Sequence, residues 1–168
     1  MRERPIIFST PMVQAILAGN KTVTRRIKFN CEIGDRLWVR ESYCPQMNIF
    51  GMAFEDRTPF YRADKLPLPV GHKWKPSIHM PRWACRIFLE VASVREERLQ
   101  EITGEDAAKE GIRYVEGSYE MEWFTPAERE SRRLKDFRTL WDSLNAKRGY
   151  PWDSNPLVKR IEFKVVQL

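Results

Sequence analysis

Between Arg86 and Val94 the chain alternates cleanly, with Ile87, Leu89 and Val91 on one side and Arg86, Phe88 and Glu90 on the other. Near the C-terminus Ile161, Phe163 and Val165 alternate in the same way with Arg160, Glu162 and Lys164. A period of two marks a half-buried strand, because successive side chains of an extended chain point to opposite faces. Strands with one apolar face suit an antiparallel sheet packed on the core along one side. Leu37 and Val39, set between Arg36, Trp38 and Arg40, repeat the pattern after a turn at Gly34-Asp35. Residues 5–10 give a shorter version through Ile6 and Phe8, Lys21 to Ile27 is rich in Thr and Val, and Phe60 to Ala63 fits a further short strand.

Three helices are expected among these strands. Thr10-Pro11 is a hydroxyl cap followed by proline, with Met12, Ala15, Ile16 and Ala18 as the apolar face and Gly19 placed to end the helix. Thr103-Gly104-Glu105-Asp106 opens a second helix that ends at Gly111. Thr125-Pro126-Ala127-Glu128 has cap, proline and N3 glutamate in register, and opens the longest helix, over about 125–147. Its Leu134, Phe137, Leu140, Trp141 and Leu144 recur at helical spacing, which predicts a core stripe. The fold class expected is α+β, a small antiparallel β-barrel or strongly curled sheet with flanking helices. At 168 residues, with no repeat, linker or composition shift, 1–168 is expected to form a single domain. Prolines and glycines make 44–60 and 65–82 poor candidates for regular elements. A long loop that also carries Trp74, Ile78, Met80 and Trp83 points to function.

The charge balance, 29 Lys and Arg against 23 Asp and Glu, gives +6 and leans toward a polyanionic partner such as RNA. Lys21, Arg25, Arg26 and Lys28 form one basic segment and Lys73, Lys75, Arg82 and Arg86 another, while acids concentrate between Glu90 and Glu110. That distribution suggests a polarised surface. Cys31, Cys44 and Cys85 are widely spaced and suit reduced thiols in a cytosolic protein. A zinc set of Cys44, His72, His79 and Cys85 can be written down, but its spacing matches no compact ligand pattern, so no metal and no cofactor is expected. No apolar run approaches the roughly 18 residues of a membrane span, and the stretch Met1 to Phe8 is too short for a signal peptide. A cytoplasmic protein is the expectation.

Gly19-Asn20-Lys21-Thr22-Val23-Thr24-Arg25-Arg26 places an amine, two hydroxyls and two guanidiniums just after a helix end. Composition alone reads this as a solvated basic strand. In a straight strand Thr22, Thr24 and Arg26 share one face, and Lys21 meets Thr24 only if the chain bends. Gly-x-Lys-x-x-Thr-x-Arg after a short helix resembles the signature of the ASCH domain, of the PUA-like superfamily. Ile33 to Val39 is similar to that family's Gly-Asp strand, Leu99 to Gly111 to its strand-to-helix segment, and Ile161-Glu162-Phe163 to its closing strand. Residues 42–85 are longer than a minimal member needs, as are 113–150, and the chain resembles the longer phage or prophage type.

The resemblance implies a PUA-like barrel, RNA or nucleoside recognition, and hydrolysis of the amide of N4-acetylcytidine in some small members. Carried over by motif, Lys21, Thr24 and Glu110 would be the catalytic set, with Arg26 the signature arginine and Thr22 and Arg25 beside it as binding residues. A threonine hydroxyl needs a base to become a nucleophile, and a lysine serves as one if burial or a nearby cation lowers its pKa. Trp74, Lys75, His79, Arg82 and Trp83 form a second candidate surface, since indoles beside cations build single-strand grooves; the plainer reading is a Trp-anchored loop. The alternatives to an enzyme are a binding module for RNA, a weak ribonuclease, or a phage-encoded regulator of a host protein.

Overall fold

The computed structural model describes residues 1–45, 59–68, 70–112 and 123–166. Its main strands are β1 (Glu3–Ile7), β2 (Val23–Arg26), β3 (Arg36–Arg40), β4 (Tyr43–Cys44), β5 (Phe60–Tyr61), β6 (Phe88–Arg98) and β7 (Leu157–Val166). The helices are α1 (Thr10–Leu17), α2 (Gly104–Lys109) and α3 (Pro126–Asn145). Five strands form one sheet in the order β1-β3-β6-β7-β2, and β4 pairs with β5 in a separate ribbon. The architecture is α+β. The parts of the long 42–85 region at 46–58 and 69, and of 113–150 at 113–122, lie outside the described residues.

β6 and β7 form the long antiparallel pair of the sheet, in register from Phe88↔Val166 to Arg98↔Leu157 with one shift between Val91 and Ser93. Their alternation holds in part: Phe88 and Arg160, expected outward, are also buried, and Val165, expected inward, is exposed. Ile87, Leu89, Val91, Ile161 and Phe163 are buried and join Ile6, Phe8, Leu37 and Val39 in the main core, which α1 covers with Val13 and Ile16. The apolar face of α1 is thus offset from the expected one: Val13 is buried while Met12 is only partly so. Its cap is Ser9, one residue earlier than expected, and Thr10 is the first helical residue.

Of the small barrel or strongly curled sheet expected from the sequence, the barrel does not form. β1 runs parallel to β3, after a return through α1 and β2 that is long enough for a crossover. The sheet does not close, because β1 and β2 end as its two edges. Pro5 in β1 is consistent with this, since a strand residue without an N–H is confined to edges or irregular positions. A cavity lies between the two edges, lined by Ile7 and Phe8 on one side and Thr24, Arg25 and Arg26 on the other. The Arg26 side chain spans the opening and donates from Nη2 to the Ile7 carbonyl at 2.6 Å. A side chain thus joins the edges where a barrel would have a backbone ladder.

α3 starts at the expected capping box, with the Glu128 N–H donating to the Thr125 hydroxyl at 3.3 Å and the Thr125 N–H to the Glu128 carboxylate at 2.7 Å. Phe137 and Trp141 bury against Leu99, Ile102, Ala107 and Val158 in a second core. The other half of the predicted stripe departs from expectation. Leu140 and Leu144 line the cavity instead of the core, and Leu144 is 55% exposed.

Candidate functional site

Lys21 reaches its place through the end of α1. Gly19, at φ +71°, turns the chain, and the N–H groups of Asn20 and Lys21 both donate to the Ala15 carbonyl. Lys21 then forms a single antiparallel bridge with Glu110, the C-cap of α2. Thr22 is held on both sides, donating to the Lys109 carbonyl and accepting from Phe163 N–H, each at 2.9 Å. Gly111 permits this approach: its φ is +94°, and a Cβ there would lie 3.0 Å from the Ala15 Cβ and 3.4 Å from the Lys21 Cβ.

The Lys21 Nζ donates to Glu110 Oε2 at 2.6 Å, to the Glu110 carbonyl at 2.8 Å and to the Val23 carbonyl at 2.9 Å. All three ammonium protons are therefore engaged. Burial pushes the Lys21 pKa below its ordinary value, while Glu110 pulls it back up and Arg26 and Arg25 depress it further. The carboxylate of Glu110 is in turn held by Arg25, whose guanidinium donates to Glu110 Oε1 at 3.2 Å, Asp106 Oδ2 at 2.6 Å and Glu97 Oε1 at 2.7 Å. Arg160 closes the network on Asp106 at 3.0 Å. These charges are inside the protein, so the polarised surface expected from the linear charge distribution is only partly realised. The acidic stretch supplies the buried partners of the first basic segment.

Above this charged floor lies the cavity, about 430 Å³ in volume, within the range of roughly 300–1,000 Å³ usual for small-molecule sites. Lys21, Thr24, Arg25, Arg26 and Glu110 supply its polar lining. Phe8, Met12, Phe29, Phe137, Leu140 and Leu144 supply apolar walls. The Phe8 ring is shared by two cations, with Lys21 Nζ 5.6 Å and Arg26 Cζ 5.0 Å from its centroid. Thr24 is 3% exposed, and its hydroxyl makes no hydrogen bond among the described residues.

Lys21, Thr24 and Glu110 thus come together on one cavity, with Arg25 and Arg26. Each Arg25 guanidinium nitrogen bonds a carboxylate, so Arg25 holds Glu110 in place while also lining the cavity. Glu110, at 5% exposure, is buried. Thr22 does not line the cavity, and neither do Trp74, Lys75, His79, Arg82 and Trp83. That second segment is tied to other elements: Lys75 pairs with Tyr43 through backbone bonds, the His79 carbonyl accepts from the Tyr43 hydroxyl, and Arg82 pairs with Glu3 at 3.1 Å and stacks over Phe88. Only Ser77 of it reaches the cavity lining. Cys44 and Cys85 donate to the carbonyls of Pro45 and Ile87. Among the described residues no group of three or more His, Cys, Asp or Glu is placed to hold a metal ion.

Sequence reasoning missed Asp106, Glu97 and Arg160 as supports of the site, and Phe8, Leu140 and Arg148 as its lining. The one available signal was the clustering of acids between Glu90 and Glu110, complementary in sign to the cationic segment from Lys21 to Lys28.

No family profile matches the sequence, and no curated protein matches it. Among solved structures, the high-resolution crystal structure of an ASCH domain from Lactobacillus crispatus JV V101 aligns with 100% of this chain and 81% of its own length. The identity is 14% and the TM-score 0.49. The chain is similar along its whole length to an ASCH domain. The geometry of the site stands on this protein's own residues. No helix among the described residues is long and apolar enough to cross a membrane.

Proposed function

We propose that the cavity receives the base of a modified cytidine, free or within RNA, and that the protein hydrolyses the amide of N4-acetylcytidine. One observation carries this reading: Lys21 and Glu110, 2.6 Å apart and buried, share a cavity with a threonine hydroxyl that has no partner among the described residues. Apolar walls suit the flat faces of a base, and burial lowers the Lys21 pKa, the direction a general base requires.

In this reaction the Lys21 ammonium passes a proton to Glu110 across their short contact. The resulting amine rotates about its terminal bond and takes the proton of Thr24 as Oγ attacks the acetyl carbonyl carbon. The C–N bond breaks, the exocyclic nitrogen of cytosine takes a proton from the Lys21–Glu110 pair, and water then cleaves the acyl-threonine to release acetate. The test is incubation of the purified protein with N4-acetylcytidine, reading cytidine and acetate by chromatography. Thr24→Val is expected to abolish release while leaving ligand binding in place. A wild-type protein that releases no cytidine overturns this substrate.

A second reading rests on the three engaged protons of Lys21. In it the Lys21–Glu110 pair serves only to shape the floor, and the protein binds RNA or a nucleoside without changing it. Binding without turnover, weakening steeply with salt for an RNA ligand, is its expected result.

A further inference from the structure

Pairing the cavity charges one by one leaves a remainder. Lys21 is neutralised by Glu110, and Arg25 by Glu97, Asp106 and Glu110. Arg26 and Arg148 also line the cavity, and neither has a carboxylate within ion-pair distance among the described residues. Arg26 is half-buried. Its Nη2 is spent on the Ile7 carbonyl, and its Nε is buried with no hydrogen-bond partner among the described residues. Arg148 is exposed, on the short 3-10 turn Ala146–Arg148 that follows α3 and ends at Gly149 in the left-handed conformation. Burial lowers the Arg26 pKa, the more distant Glu110 carboxylate pulls it back up, and the approach of Arg148 lowers it again, so the two guanidiniums repel each other across the mouth. Two cations left together with no carboxylate in direct contact among the described residues are what a phosphate would relieve, because guanidinium donors match phosphate oxygens in geometry and charge.

We propose that Arg26 and Arg148 form a phosphate subsite at the mouth of the cavity, so that a phosphorylated nucleotide is preferred over the bare nucleoside. This rests on the reading of the cavity as a nucleobase site and adds the second half of the ligand. The phosphate is that of a free mononucleotide or of an RNA residue, and the two sources differ in how they respond to chain length and salt.

The test is titration calorimetry with cytidine, cytidine 5′-monophosphate and a short oligocytidylate, together with thermal unfolding in inorganic phosphate against chloride at matched ionic strength. The wild-type protein is expected to bind the monophosphate about tenfold tighter than cytidine. That ratio is expected to collapse in Arg148→Gln and to persist in Lys147→Gln, which removes an equal charge from the same turn at a position outside the cavity lining. An oligonucleotide tighter than the monophosphate, with a steep salt dependence, assigns the phosphate to RNA; equal affinities assign it to a free nucleotide. A ratio near one in the wild type, or the same ratio in both variants, overturns the subsite. If neither cytidine nor its monophosphate binds, the nucleobase reading fails alone, provided that inorganic phosphate still raises the unfolding temperature of the wild type and not of Arg148→Gln. No such effect overturns the subsite too.

Discussion

The Lys21 ammonium lies 2.6 Å from the carboxylate of Glu110, a residue 89 positions further along the chain, and the two side chains are 2% and 6% exposed. Their backbones are also joined, through an isolated antiparallel bridge. The pair is therefore fastened twice, and it ties the end of α2 to the turn between α1 and β2. Any movement of either element disturbs the fold and the floor of the cavity together.

Glu110→Gln keeps the shape of the side chain and removes the charge that both Lys21 and Arg25 face. Breaking a buried ion pair from one side leaves uncompensated charge and costs about 3–5 kcal/mol. The expected result is a lower guanidinium midpoint at unchanged slope. A wild-type midpoint would show that the pair does not anchor the fold.

Asp106 gives the acid limb of stability a specific origin. Burial alone would raise its pKa, but hydrogen bonds from Arg160 and Arg25 prevail and hold it below its ordinary 3.8. A carboxyl depressed in the folded state contributes stability that is complete above its unfolded pKa and is lost as pH falls through the folded one. Glu41 contributes in the other direction, because burial raises its pKa against the pull of Arg86. The comparison that isolates Asp106 is therefore Asp106→Asn against wild type. Their difference in unfolding free energy should shrink as pH falls below 3.8. A constant difference would place the acid limb elsewhere.

Thr125→Ala removes the hydroxyl half of the capping box at the start of α3. Losses of this kind cost about 1 kcal/mol. Urea denaturation followed by tryptophan fluorescence checks it, since Trp141 is buried on this helix.

Gly111→Ala asks an L-residue to hold φ +94° and brings its Cβ within 3.0 Å of the Ala15 side chain. Backbone strain of this sort costs about 1–3 kcal/mol. Because Lys21 is the next neighbour of that Cβ, ligand affinity should fall along with the melting temperature. A stability loss with affinity intact would separate this turn from the site.

Leu144→Ser removes an apolar wall from a residue that is 55% exposed. Unfolding free energy should stay within about 0.5 kcal/mol, as for most surface changes. Affinity for a base-containing ligand should weaken several-fold, measured by the same calorimetry used for the wild type.

Local signals were read correctly from the residues where the interactions behind them are local. The alternation of Ile87, Leu89 and Val91 produced a strand face of the main core, and Thr125 with Glu128 produced a capped helix start. Thr103 accepts from the Asp106 N–H as the cap of α2. The same local signals were silent on which side of α3 faces a core. Phe137 and Trp141 recur with Leu140 and Leu144 at one helical spacing, yet only the first two found partners on Leu99 and Val158, while the others were left to line an opening. Trp74 and Trp83 carry the composition of a nucleic-acid groove and sit outside the cavity, because Tyr43 and Glu3 hold their segment elsewhere.

By itself the sequence determined the α+β class and the main helices and strands. All of that follows from spacing along a few turns or strand repeats. The tertiary structure alone decided that β1 and β2 stay apart, that Arg25 is consumed by Glu97, Asp106 and Glu110, and that Arg26 and Arg148 are left over at the mouth. Those outcomes depend on charges and edges distant in the chain, and the energy of a charge is set by what surrounds it in space, about which its neighbours in sequence carry almost no information.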